Sequence, residues 1–205
     1  GGDRDAPVLE SIQALDAALA SGGAPLTLHG LHGDDCTERS FLPFARPLAP
    51  GEGHRMAPVG GRPSNGAFPF FNVESGGQGV VVAIGWSGQW AASVERDGAG
   101  RARLRAGMER TRRVLRPGES IRTPRILLMP WTGDRLASHN RFRRLMLFQH
   151  VPKRDGKPVA MPVFWQNYDR YRGHPVWPTE AGQAGAAKAA AACGATFLWL
   201  DAAWF

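Results

Sequence analysis

Apolar residues recur along this chain in three successive rhythms. Over residues 8–20, Val-Leu-Glu-Ser-Ile-Gln-Ala-Leu-Asp-Ala-Ala-Leu-Ala, the side chains of Ile12, Leu15 and Leu19 are spaced by three and four. That spacing predicts an amphipathic helix, closed by Ser21-Gly22-Gly23. From Pro25 to Met129 the rhythm shortens to strands punctuated by Gly and Pro. Leu26–His32 alternates, and Val80–Trp86 is a β-branched run entered through Gly76-Gly77-Gln78-Gly79. Trp90–Glu95 follows as a hairpin partner, then Leu104–Met108, Thr111–Leu115 and Ile121–Met129, with turns at Asp97–Gly100 and Arg116–Glu119. Short strands at such regular spacing predict an all-β sandwich.

The third rhythm begins after Gly133. Leu136–Gln149 places Phe142, Leu145, Met146 and Phe148 among Arg141, Arg143 and Arg144, a helix with Asp134 as N-cap and Pro152 as its limit. Lys153–Pro158 is a polar linker. The remainder predicts β-α-β. Val159–Trp165 and Thr196–Asp201 are near-continuous apolar runs, as strands of a parallel sheet are. Between them Thr179 and Glu180 open an Ala-rich helix over Ala181–Ala192, and Gly194 suits the left-handed position just past its end. One βαβ unit cannot cover both faces of its sheet, so further units are expected in a longer parent protein. The expected organisation is a sandwich over residues 1–130, a connecting helix and linker over 131–158, and the start of a further domain over 159–205.

Composition narrows the chemistry by exclusion. The chain has 205 residues, 43% apolar and 21% charged, and a formal net charge of +7. Its Arg residues are scattered rather than interleaved with aromatics, so no nucleic-acid partner is expected. No apolar run reaches membrane-span length, so no membrane partner is expected. Cys36 and Cys193 lie far apart in unlike contexts and imply no disulfide; Cys193, in the Ala-rich helix, is expected as a small buried hydrophobe. His29, His32, Asp34, Asp35 and Cys36 suggest a metal cluster, but their spacing matches no standard site. The Gly76–Gly79 turn lacks the Lys-Ser/Thr of a phosphate loop, and no Gly-x-Ser-x-Gly elbow occurs, so no metal or other cofactor is expected. The chain lacks an initiating Met, and its compartment stays undetermined. A homo-oligomer is compatible with the sequence.

The order of elements and the wording of the joints resemble the α-galactosidase-type glycoside hydrolases of family 36. The resembling pieces are Gly85-Trp86-Ser87-Gly88-Gln89-Trp90, Leu115-Arg116-Pro117-Gly118-Glu119-Ser120-Ile121-Arg122-Thr123-Pro124, and Asn140-Arg141-Phe142-Arg143-Arg144. Pro162-Val163-Phe164-Trp165 and Leu200-Asp201-Ala202-Ala203-Trp204-Phe205 complete the set. Of these, the Pro-Gly-Glu-Ser-x-x-Thr-Pro joint and the Asp-x-x-Trp-Phe ending together are the most specific.

The resemblance implies a β-supersandwich followed by a (β/α)8 barrel, of which this chain would hold strand one, helix one and strand two. It implies an enzyme that hydrolyses terminal α-linked sugars with retention. Asp201, at the end of strand two, would bind sugar hydroxyls, a task suited to a carboxylate because charge-assisted hydrogen bonds are strong. Trp165 would line the same sugar pocket, and Trp204 would border it; Tyr168, Asp169 and Tyr171 follow strand one and are further rim candidates. Both catalytic carboxylates come from later strands in the family, so they are expected beyond Phe205 and the chain alone is expected to be inactive. Family members often carry a second Asp after the first; Ala202 stands there and cannot accept a hydrogen bond, which leaves the exact sugar open. A non-catalytic carbohydrate-binding β-sandwich, and a galactosyltransferase of the same family, are the alternatives.

Overall fold

The computed structural model describes residues 2–19, 23–166 and 179–200. The chain divides into two units, Gly1–Leu145 and Met146–Phe205. In the first unit, strands β1 (Leu9–Glu10), β2 (Gln13–Leu19), β3 (Leu26–His32), β4 (Pro43–Leu48), β5 (Gly53–Met56), β6 (Ala67–Ser75), β7 (Gln78–Gly85), β8 (Trp90–Arg96), β9 (Ala102–Met108), β10 (Arg112–Arg113) and β11 (Arg125–Thr132) precede helix α1 (Arg135–Leu145). A five-stranded sheet runs β11-β7-β6-β3-β4 and a four-stranded sheet runs β2-β9-β8-β5, while β1 and β10 form a two-stranded ladder. Every pairing in this unit is antiparallel.

Strand alternation builds the core between the two larger sheets. On β9, Ala102, Leu104 and Ala106 are buried, while Arg103 is exposed and Arg105 half-buried. Leu26, Leu28, Leu48, Val82, Val94 and Trp90 complete the centre. Each such side chain contributes about 1.5–3 kcal/mol of transfer free energy on burial. Trp90 is fully buried, and its indole N–H donates to the Pro63 carbonyl at 2.7 Å, so its one polar atom is satisfied. Trp86 is half-buried against the same core.

The helix expected over residues 8–20 does not form. Ser11, at φ +50°, separates β1 from β2, and β2 pairs antiparallel with β9. Leu15, Ala17 and Leu19 are half-buried, with Asp16 and Ala18 exposed between them. A Leu–Leu spacing of four is a multiple of the strand period and is close to the helical one, so it does not discriminate. Pairing along β9 overrides the helix propensity of the alanines.

At α1 local signals prevail. Asp134 is the N-cap, accepting from the backbone N–H of Leu136 at 2.8 Å and of Ala137 at 3.3 Å. The expected strand at Thr111–Leu115 shrinks to two residues, and β11 begins only after Pro124.

The second unit opens with a π turn over Met146–His150, closed by Val151 N–H donating to Met146 O at 3.0 Å. Strands β12 (Lys153–Arg154) and β13 (Lys157–Pro158) make a minimal hairpin. Then come β14 (Phe164–Gln166), helix α2 (Glu180–Ala192) and β15 (Phe197–Trp199), with β14 and β15 paired in parallel. The unit is thus strand, helix, parallel strand. The apolar run from Val159 does not extend β14 back to its start: Pro162 has no N–H to give a ladder.

Candidate functional site

The parallel pair carries Trp165, the one residue of the expected sugar pocket that lies among the described residues. Trp165 lies opposite Leu198, and both are half-buried. Their strand neighbours Phe164, Phe197 and Trp199 are exposed, with the Phe164 and Trp199 rings 5.8 Å apart and tilted by 45°. The pairing is anchored at its entry, where both the backbone N–H and the hydroxyl of Thr196 donate to the Val163 carbonyl, at 2.8 and 3.2 Å.

Local capping fixes α2 between the strands. Thr179 Oγ1 accepts from Gly182 N–H at 3.2 Å. At the far end, Gly194 N–H donates to Ala191 O and Ala195 N–H to Ala190 O, with Gly194 at φ +81°. These two bonds make a Schellman motif, and it turns the chain sharply into β15. Cys193, expected buried, is exposed: it is the C-cap residue, and among the described residues of α2 only Ala190 is buried.

Because β14 and β15 are parallel, their C-terminal ends share one edge of the pair. Strand β15 ends at Trp199, two residues before Asp201. Asp201 and Trp204 lie outside the described residues, as do Tyr168, Asp169 and Tyr171.

In the first unit the residues weighed as a metal cluster separate into different roles. His29 Nε2 lies 2.9 Å from Glu74 Oε2. His32 instead packs its ring 5.4 Å from that of Phe44. Asp34 accepts from Cys36 N–H and the Ser40 hydroxyl, and Asp35 accepts from the Thr37 hydroxyl, so both carboxylates close their own loop. Those bonds hold both carboxyls below the usual range. No metal-binding group of three such residues occurs among the described residues.

Two arrangements escaped the sequence reading. Beneath α1, Trp131 Nε1 donates to Asn72 Oδ1 at 2.9 Å, and Asn72 Nδ2 donates to His139 Nε2 at 3.1 Å. The second is a groove where the edge strands β4 and β5 face each other, a cavity of about 470 Å³. Its walls include Phe44, Val59 and Ala67, and its rim carries Arg46, His54 and Arg55. Arg46 Nη1 lies 3.1 Å from His54 Nδ1. Burial, and then the Arg46 charge, push the His54 pKa down, so its imidazole is neutral at pH 7 and accepts at Nδ1. Arg55 is committed elsewhere, to Glu109 at 2.7 Å. The two prolines of Pro43-Phe44-Ala45-Arg46-Pro47 are the signal that marks an edge strand.

No protein-family model matches the chain, and no curated protein matches it in sequence. Solved structures do. The family 36 α-galactosidase AgaA from Geobacillus stearothermophilus superposes with a TM-score of 0.75 at 20% identity, over 93% of this chain and 26% of that one. The galactosidase domain of α-galactosidase-sucrose kinase, AgaSK, gives 0.72 at 20%, over 90% and 26%. The α-galactosidase from Lactobacillus brevis gives 0.69 at 17%, over 93% and 25%. The fold is that of the N-terminal part of family 36 α-galactosidases. The chain spans about a quarter of the length of the structures it matches. AgaA variants have been solved in complex with stachyose and with raffinose.

Proposed function

We propose that this chain is the N-terminal portion of a retaining glycoside hydrolase acting on terminal α-linked sugars, of α-galactosidase type. The observation that carries the reading is the parallel pair β14 and β15, joined through α2 and following a two-sheet sandwich, in a chain that matches α-galactosidases over 93% of its length. In this reading β14, α2 and β15 begin a (β/α)8 barrel, whose ligand sites lie at the C-terminal ends of the strands. The exposed Phe164, Phe197 and Trp199 support it, since a lone two-stranded pair leaves apolar surface that further βα units would cover.

Asp201 then enters at the top of strand two, where it holds sugar hydroxyls. Trp165 packs on an apolar sugar face from strand one, and Trp204 closes the rim. A retaining mechanism needs two carboxyls about 5–5.5 Å apart. In this reading both come from strands beyond Phe205, and Asp201 positions the substrate without attacking it.

The test is an assay on an aryl α-galactoside. The 205-residue chain is expected to be inactive. A product of the same reading frame extended beyond Phe205 is expected to turn over with retention. Asp201→Asn in that product removes a charged acceptor worth about 1.5–3 kcal/mol, so kcat/KM should fall by about 10- to 150-fold. Hydrolysis by the 205 residues alone, or an unchanged kcat/KM in the variant, would sink the assignment.

A further inference from the structure

We infer that the groove at the open edge of the sandwich, between β4 and β5, binds a small organic carboxylate bearing an apolar face. The inference is independent of the reading of β14 and β15. The cavity of about 470 Å³ falls within the usual range for small-molecule sites, about 300–1,000 Å³. Three features set its chemistry.

The first is a fixed aromatic wall. Phe44 lies opposite Gly30 across the β3–β4 ladder, and a Cβ at Gly30 would come within 2.6 Å of the Phe44 ring. Glycine here lets the ring lie down on the strand. The His32 and His54 rings flank it, with centroids 5.4 and 5.6 Å away. Val59, 65% exposed, adds apolar surface facing solvent.

The second is charge. No acidic residue lines the groove, while Arg46, His54 and Arg55 do. The Arg55 charge is offset by Glu109, whereas the exposed Arg46 has, among the described residues, only the neutral His54 as its side-chain partner. An Arg so placed offers further N–H donors in the planar fork that matches a carboxylate.

The third is the combination. A bare inorganic anion would leave the Phe44 and Val59 wall unused, and a neutral sugar or alcohol would leave Arg46 without a counter-charge. A carboxylate on a body with one apolar face uses both. A sugar acid and an aryl carboxylate share this chemistry.

Isothermal titration of the 205-residue chain distinguishes the sources, using D-galacturonate and phenylacetate as probes and D-galactose, acetate and inorganic phosphate as controls. At least one probe should bind at least 10-fold more tightly than every control, and the tighter probe names the source. Arg46→Gln should lose that binding at least 10-fold. Phe44→Leu should weaken it several-fold, with an unchanged circular dichroism spectrum in both variants. The inference is overturned if neither probe binds at millimolar concentration, if acetate or phosphate binds as well as the better probe, or if Arg46→Gln binds unchanged.

Discussion

Asn72 fixes the protonation state of His139. Its side-chain oxygen accepts from Trp131 Nε1, so its amide nitrogen must face His139 Nε2, and that ring nitrogen must accept. His139 is therefore neutral, with its proton on Nδ1. Burial pushes its pKa down first, then Arg135 and Arg143, with Asp134 and Glu74 opposing. His29 and His54 are also pushed down, burial again leading. An imidazole whose folded pKa lies below its unfolded value of about 6.5 takes up its proton later when folded. The unfolded chain then binds more protons in that interval, so stability falls as pH drops below about 6.5. The lowered carboxyls of Asp16, Asp97 and Glu109 act in a separate window, below about 4. Melting at pH 5.5 should therefore occur at a lower temperature than melting at pH 7.5. His139→Gln can still accept from Asn72 through its amide oxygen but cannot protonate, so the acid-induced drop should shrink. An equal drop in the variant would remove His139 from the explanation.

Among the elements, β2 depends most on a distant partner. The joint between β1 and β2 crosses β9 at Gly107, where a Cβ would sit 2.0 Å from the Ile12 carbonyl oxygen and 2.8 Å from Gln13 Cα. Both neighbours are backbone and cannot swing aside. Gly107→Ala should therefore cost more than about 2 kcal/mol in denaturant unfolding, above the usual range for a surface change. An unchanged midpoint would mean that β2 is not docked there. The same dependence explains what the sequence could reveal. Caps at Asp134 and Thr179 and the turn at Gly194 act within a few residues, and all three stand where the local pattern puts them. Strand β2 needs β9, almost ninety residues away, and nothing within residues 8–20 carries that information. The groove is harder still to read, because its walls come from β3, β4, β5 and the start of β6. Of the residues proposed to bind sugar, Trp165 is placed on β14, while Asp201 and Trp204 remain sequence-based assignments. The Thr179 cap also gives a direct check on α2: Thr179→Ala should lower helical stability by about 1 kcal/mol, seen as lost helical ellipticity.

At the scale of the whole chain, buried apolar residues are unevenly shared. Among the described residues every buried hydrophobic side chain but Ala190 belongs to the first unit. In the second, Met161 is 88% exposed and Val163 62%, and both strands of the β12–β13 hairpin are exposed. Cooperative unfolding follows buried area, because burial offsets the conformational entropy of ordering the chain. The sandwich should then set the melting transition by itself. A chain ending at Leu145 retains both large sheets, α1 and the Trp131–Asn72–His139 contact, and loses none of the sandwich core. It should melt within about 2 °C of the 205-residue chain, since a difference of 1 kcal/mol in a domain of this size moves the midpoint by about 4 °C. Brief trypsin treatment of the longer chain should cut first at Lys153 or Arg154 and leave a resistant sandwich. If the shorter chain instead melts well below the longer one, or trypsin attacks the sandwich first, residues 146–205 contribute to the stability of the first unit and the sandwich is not self-sufficient.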